Sequence, residues 1–484
     1  AQSVARLTGD LRLDSRQDWA WQTYTNPKIT EHDNINSALE EWRDSKPKAH
    51  LCQTILIFVM KNVTHLRNLN KLVSALDLRQ MPVLVVDDEA DQASLNTGVK
   101  AGDQSAIYRQ LDALKKSLPH HTYLQYTATP QANLLINLLD VLSPNSIVLL
   151  NPGDGYAGGK RFFCGMPSII RHIPAADVPP TNGQLPNPPE SLYKAMRLFY
   201  LGVGAAYSAG ELKGNRSMLI HPHQKTVKHS EYWQWALIAK DTWAAILKSD
   251  SADRRELLEE FRIEYDDLVD TVPDLPPFEK LVEELRSAIL RTNVQEVNAR
   301  GRGKTPPVNW KQHYAHLLVG GQAMDRGFTV RGLTVTYMPR PLGLGNADTI
   351  QQRARFFGYK AGYIGYCRVY ITHQVETVYR HYVEHEEDLR QRLRKFAESG
   401  RPLKDWKRAF LLDSALKPTR DQVISRLYDR GDFADKWFDT KAPHVSSTEI
   451  DGAVIEANRK VFERIGDNTK PSGSCRKWSD SPER

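Results

Sequence analysis

The chain is poor in cysteine. Its 484 residues contain four, Cys52, Cys164, Cys367 and Cys475, and none of them forms a CxxC pair. That spacing excludes a disulfide framework and a zinc cluster, and it suits a reducing compartment. Long apolar runs are lacking too. The best of them, Ile55 to Met60, is closed by Lys61, far short of the about 20 residues that cross a bilayer. No secretory leader pattern is visible and the first residue is Ala1, so the expectation is a cytoplasmic protein whose chain begins here partway into a longer one. A strong charge of one sign is also missing: 65 Lys and Arg face 58 Asp and Glu, for a net of +7. Such a balance permits a nucleic-acid partner without demanding one. With 40% hydrophobic and 25% charged residues, wholesale disorder is excluded and globular domains remain.

What is present is an alternation of short apolar runs with helical patterns. Thr54–Val59, Val83–Val86, Thr122–Tyr126 and Ile147–Leu150 read as buried strands, with helical spacing through Leu66, Leu69, Leu72 and Val73 and again over Tyr108–Leu118. Continuous apolar strands separated by helices predict a parallel α/β sheet. A proline-rich stretch from His172 to Ser191 predicts a linker or surface excursion, followed by a helix over Leu192–Ala209. A second α/β unit opens at Ser217–Ile220 and continues through Val294–Val297, Ala315–Val319, Leu333–Tyr337 and Cys367–Ile371. Helices over Tyr232–Lys248 and Arg254–Leu268 interrupt it as an insertion. The expected division is a first α/β lobe over 1–150 and a linker with a helical connection over 151–215. A second lobe follows over 216–375, with the insertion at about 229–292, and then a charged helical region over 376–484.

Four motifs carry chemistry. In Val83-Leu-Val-Val-Asp-Asp-Glu-Ala-Asp91 an apolar strand ends in adjacent carboxylates, at the sheet edge where α/β folds bind ligands. Paired acids there suit Mg²⁺, a hard cation that takes oxygen ligands. Tyr126-Thr-Ala-Thr-Pro130 follows the next strand, and its hydroxyls can hydrogen-bond a neighbouring carboxylate such as Asp91. Its Thr129-Pro130 pair equally reads as a helix start. Val319-Gly-Gly-Gln-Ala-Met-Asp-Arg-Gly-Phe-Thr329 follows a strand in the second unit. Gln351-Gln-Arg-Ala-Arg-Phe-Phe-Gly-Tyr-Lys360 supplies arginines suited to phosphate.

Taken in order, these motifs resemble motifs two, three, five and six of superfamily-two helicases. The chain resembles still more closely the Z-one domain family, labelled endonucleases and found in restriction and phage-defence loci. VVDDEADQASLNT, YTATPQANLL, LNPGDGYAGG, SMLIHPHQ, GGQAMDRGFTVRGLTVTYMPR and QQRARFFGYKAGY carry that resemblance between about Leu51 and Tyr370. The resemblance implies two RecA-like lobes of the P-loop NTPase type, ATP and Mg²⁺ as cofactors, and DNA as partner, with other subunits of a defence or restriction system possible beside it. It implies that Asp88 holds Mg²⁺ through water and that Glu89 polarises the attacking water. Asp91 would couple to Thr127 and Thr129. Asp325, Arg326 and Gly327 would face nucleotide or DNA at the lobe interface, with Gln351, Gln352 and Lys360 beside them. Arg355 would be the arginine finger delivered from the second lobe.

One part of that pattern is missing. No G-x-x-x-x-G-K-[ST] phosphate loop occurs: Gly158-Gly-Lys160 continues into Arg161, and Gly303-Lys-Thr305 runs into Pro306-Pro307, which cannot continue a helix. The expectation is therefore an ATP hydrolase whose chain here is inactive alone. Two other functions stay open: a metal-dependent endonuclease using Asp87, Asp88 and Glu89 directly, and a DNA-binding scaffold without catalysis. His381-Tyr-Val-Glu-His385 matches H-x-x-E-H, but it lies on a charged helix and no third ligand is identifiable. Arg392, Arg394 and Lys395, with Phe396 and Trp406 interleaved nearby, form a basic stretch that suits a DNA backbone or a solvated helix face.

Overall fold

The computed structural model describes residues 2–11, 21–44, 52–98, 103–136, 140–180, 183–210, 212–223, 226–298, 306–321, 329–340 and 353–406, together with 456, 459 and 460. The chain divides into two units, 1–428 and 429–484. Of the second, only Glu456, Arg459 and Lys460 are described, each helical. The expected motif residues Asp325, Arg326, Gly327, Gln351 and Gln352 lie outside the described residues.

The N-terminal part runs α1 (Gln2–Asp10), β1 (Trp21–Thr25), α2 (His32–Arg43), β2 (Thr54–Phe58), α3 (Val63–Ala75), β3 (Val83–Asp88), α4 (Ala106–Ser117), β4 (His121–Tyr126) and α5 (Gln131–Leu135). β1 pairs with β2, and β3 with β4, both in parallel. Asn62 starts α3 by accepting a side-chain hydrogen bond from the His65 N–H, which satisfies one of the helix's orphan donors. Spacing of three and four residues then buries Leu66, Leu69, Leu72 and Val73 on one stripe. Val83 and Val85 pack into the cluster of Leu69, Leu72, Val73 and Leu114. The alternate residues Leu84, Val86, Leu124 and Tyr126 are exposed on the opposite face of the ladder.

The second part is built on a six-stranded, all-parallel sheet. In chain order its elements are β6 (Ile170–His172), α6 (Glu190–Ser208), β7 (Arg216–Ile220), α7 (Thr226–Ile246), α8 (Ala252–Val269), α9 (Phe278–Arg291), β8 (Asn293–Val297), β9 (Ala315–Gly320), β10 (Leu333–Met338), β12 (Arg368–Ile371) and α10 (His373–Glu398). The spatial order is β6-β12-β10-β7-β9-β8. A short antiparallel ladder joins β5 (Tyr156–Ala157) to β11 (Gly358–Tyr359). Every residue of β9, β10 and β12 is buried, because both faces are covered. Met218, Ile220, Leu317, Val319, Val335 and Tyr337 pack with α6 and the insertion helices, while Leu219, Leu318, Val369 and Ile371 pack with Phe162, Phe163, Tyr379 and Tyr382. Gly332 turns the chain into β10 at φ +60°, and a side chain there would collide with the Asn215 carbonyl.

The insertion is fastened by Arg368, which has no exposed side-chain surface. It donates to Asp267 Oδ1 at 2.8 and 2.6 Å and to Thr271 Oγ1 at 2.9 Å. Arg171 takes Asp267 from the β6 side, at 2.6 and 2.8 Å. Burial alone would raise the Asp267 pKa, but the two arginines outweigh it and hold the carboxyl below its ordinary range.

One expectation is corrected. Ile147–Leu150 is not a strand. Val148 and Leu150 are exposed, and the Leu150 carbonyl accepts from Arg390 at 2.8 Å instead of joining a ladder. Within residues 151–215 the expected helix is present as α6, twelve of whose residues are buried, and the same stretch also supplies the edge strand β6.

Candidate active site

β3 and β4 run in register from Val83↔His121 to Asp88↔Tyr126, so the acidic motif and the Thr-Ala-Thr motif emerge side by side at one carboxyl edge. Asp87 is 4% exposed and turns inward. Its Oδ1 accepts from Ser94 Oγ at 2.9 Å and its Oδ2 from the Tyr123 hydroxyl at 2.8 Å. Lys61, three residues beyond β2, reaches Asp87 Oδ1 at 3.0 Å. The same ammonium donates to the Glu89 carbonyl at 2.9 Å, to Ser94 Oγ at 3.2 Å and to the Asp88 carbonyl. Asp87 is thus buried and engaged by Lys61, Ser94 and Tyr123.

Asp88 and Glu89 are presented differently. Both are exposed. Glu89 sits at φ +53°, the left-handed region that a side chain makes costly. The turn is held there by the Glu89 N–H donating to Asp88 Oδ1 at 3.1 Å, the Ala90 N–H donating to the Tyr126 carbonyl at 3.1 Å, and the Lys61 contacts. Gln92 donates to Glu89 Oε2 at 2.6 Å. Carboxylate oxygens at a solvent-facing strand end fit a hydrated Mg²⁺ by donor type.

Asp91 is 1% exposed. It receives the Thr127 hydroxyl at 2.7 Å on Oδ1 and the Thr129 hydroxyl at 2.8 Å on Oδ2. The Thr129 N–H donates back to Thr127 Oγ1 at 3.0 Å. The structure therefore brings Asp91, Thr127 and Thr129 together as one hydrogen-bonded unit. The helix start foreseen at Thr129-Pro130 falls one residue later, with Pro130 capping α5.

A second cluster occupies the carboxyl edge of the six-stranded sheet. His221 follows β7 and Arg340 lies just beyond β10; these two, with His229 and Arg353, are each less than 9% exposed. Burial first, then the charges of Arg340 and Arg353 and the influence of His229, hold His221 well below the ordinary imidazole range, so it is neutral. Gly321 directly follows β9, where a side chain would strike the His229 ring at 2.6 Å. Sequence reasoning did not single out His221, His229, Arg340 or Lys61. His221 and Arg340 lie in SMLIHPHQ and VRGLTVTYMPR, where a charged or imidazole residue directly after an apolar strand was the available signal.

Arg355 is half-buried, two residues after the buried Arg353, and its N–H donates to the Arg353 carbonyl at 2.8 Å. Lys360, expected to face nucleotide, is 3% exposed. It donates to the Leu333 carbonyl at the start of β10 and lies 5.2 Å from the Tyr363 ring centre, and burial lowers its pKa. Its charge is spent at the amino end of the sheet. On α10, Arg392 pairs with Asp388 at 2.9 Å and Arg394 donates to Asn151 at 3.2 Å, while Lys395 is exposed.

No curated protein sequence matches the chain. Residues 191–410 match the family model described as the Z1 domain. That span takes in α6 to α10, five of the six strands of the sheet, Arg340 and Arg355, and it leaves the acidic edge of β3 outside. The chain thus carries a Z1 domain over residues 191–410.

Proposed function

We propose that the chain is a helicase-like, ATP-dependent DNA-acting protein of a restriction or phage-defence system, with two RecA-like lobes. The observation that carries this is the sorting of four neighbouring acids. Asp87 and Asp91 are buried and paired, whereas Asp88 and Glu89 are turned to solvent at a strand's carboxyl edge. In this reading Asp88 holds Mg²⁺ through water and Glu89 takes a proton from the attacking water. The bound ion would supply neutralisation of phosphate oxygens. Arg355 approaches those oxygens from the Z1 domain, and its planar fork suits them. The Asp91–Thr127–Thr129 unit links the ends of β3 and β4, so a shift at one is felt at the other.

The sequence contains no phosphate-loop motif, so weak nucleotide affinity and slow turnover are expected of this chain by itself. Hydrolysis is therefore followed with the chain in excess over nucleotide. Mg²⁺-dependent turnover lost in Glu89→Gln but not in a surface control supports the reading, and turnover indifferent to Glu89 and to Mg²⁺ overturns it. Lys61 favours a second reading, metal-dependent DNA cleavage, because it brings a lysine into the acidic turn. Mg²⁺-dependent plasmid nicking without added nucleotide would select that reading.

A further inference from the structure

At the β6 edge of the six-stranded sheet, three side chains converge from two distant parts of the chain. His172 is the last residue of β6 and pairs in register with Ile371 at the end of β12. The Ile173 N–H donates to the Ile371 carbonyl at 2.9 Å, which keeps the two strand ends together. α10 begins two residues later, with Thr372 capping it through the Val375 N–H. His373 therefore opens the helix beside His172, and Glu376 lies on the same helix face three residues on. His172 Nε2 lies 2.5 Å from Glu376 Oε2 and 3.3 Å from His373 Nδ1, and His373 Nδ1 is 3.6 Å from Glu376 Oε2. Two imidazole nitrogens and a carboxylate oxygen thus face a common centre.

We propose that His172, His373 and Glu376 bind one divalent first-row transition ion, with Zn²⁺ the best-suited probe. Ligand atoms on a tetrahedral ion with metal–nitrogen distances of about 2.0–2.1 Å stand roughly 3.3 Å apart. The three observed separations bracket that value. A proton cannot substitute for the ion throughout. One proton bridges His172 to Glu376 and leaves the His373 nitrogen facing another ring nitrogen, whereas a cation at the centre uses all three lone pairs. The carboxylate is also oriented for the task. Arg380 takes Glu376 Oε1 with Nε at 2.8 Å and a terminal nitrogen at 2.7 Å, so Oε2 is the oxygen turned to the histidines. Such a second partner fixes a ligand's orientation. Arg380 and the positive end of α10 lower the affinity without removing the donors. The side chains of His172 and His373 are 51% and 83% exposed, so at least one coordination position opens to solvent. Three protein ligands with an open fourth position is the arrangement of a site that can hold water or a substrate atom. This site does not depend on the reading of the acidic turn.

The test uses the whole chain after chelator treatment. Co²⁺ uptake is read by its visible absorption, and Zn²⁺ is read by calorimetry and by displacement of Co²⁺. One equivalent should bind, and His172→Ala, His373→Ala and Glu376→Gln should each weaken it at least about tenfold. His373→Ala is the decisive variant, because the side chain is exposed and Thr372 still caps the helix, so an unchanged melting curve certifies its fold. Arg380→Gln should alter affinity less than loss of a ligand. Absence of saturable Co²⁺ and Zn²⁺ binding up to millimolar ion overturns the proposal. So does binding that His373→Ala leaves at wild-type strength.

Discussion

Lys61 Nζ lies 3.0 Å from Asp87 Oδ1 and also reaches the two carbonyls that follow, so a residue beyond β2 clasps the end of β3. The carboxylate is 2% exposed and the lysine 25%. Removing the lysine would leave a buried charge with only the Ser94 and Tyr123 hydroxyls. Lys61→Ala should cost about 2–3 kcal/mol in chemical denaturation, the scale of a hydrogen bond to a charged group. A cost within ~0.5 kcal/mol would show that the clasp is incidental.

Glu89 separates strain from chemistry. Glu89→Gln keeps the backbone and should reduce single-turnover, Mg²⁺-dependent hydrolysis at least ~100-fold with little change in melting. Glu89→Gly relieves the cost of φ +53°. Its stability should stay level or rise by up to about 1 kcal/mol, while turnover is still lost. A clear drop in stability for the glycine variant would mean that the side chain, and not the site, holds the turn.

For Arg355 the comparison of alanine with lysine is informative. If the guanidinium meets the transferring phosphate, both variants should melt as wild type and bind nucleotide, yet lose about 10³-fold in turnover. Turnover restored by lysine would assign a point charge. A lowered melting temperature with every activity lost would make Arg355 a structural tie.

The basic stretch of α10 is tested by salt. Arg392 is balanced by Asp388, and Arg394 is engaged with Asn151. Neutralising Arg392, Arg394 and Lys395 should flatten the slope of log affinity for DNA against log salt by up to ~3, about 0.9 for each phosphate met. Parallel slopes for wild type and triple variant would return these residues to a solvated helix face.

Asp267 predicts a pH dependence. Its folded pKa is depressed by Arg171 and Arg368, so its contribution is present above the unfolded carboxylate value of about 3.9 and fades as pH falls through the folded one. Asp267→Asn, which leaves Arg368 buried with its strongest partner gone, should lose about 3–5 kcal/mol at neutral pH. The gap between variant and wild type should shrink in acid. An equal gap at every pH would place the effect in packing.

Much of the α/β pattern was legible because a strand buried on both faces is apolar at consecutive positions, as in Ala315–Val319 and Leu333–Tyr337. β1 and β6 escaped notice: Trp21-Gln-Thr-Tyr-Thr25 mixes polar residues into a half-buried strand, and Ile170–His172 is only three residues long. Ile147–Leu150 has strand composition but pairs with no strand among the described residues, and pairing decides. Asp91 with Thr127 and Thr129 could be anticipated because each lies at a strand end. Lys61 and His172 could not, since their partners lie 26 and 204 residues away and only the folded chain brings them near. Lys360 sits close to the arginines in sequence, but a buried carbonyl claimed its charge.

Arg368 also settles how the three helices between β7 and β8 can behave. A flap needs a seam that parts cheaply. Here the seam contains one carboxylate gripped by two guanidinium groups, one of them sealed from water, and prising it apart would strand like charges in a medium that screens them poorly. The helices are then a rigid outrigger. Whatever touches them is set at a fixed angle to the sheet, and a push on them is delivered to the strand that leads into α10.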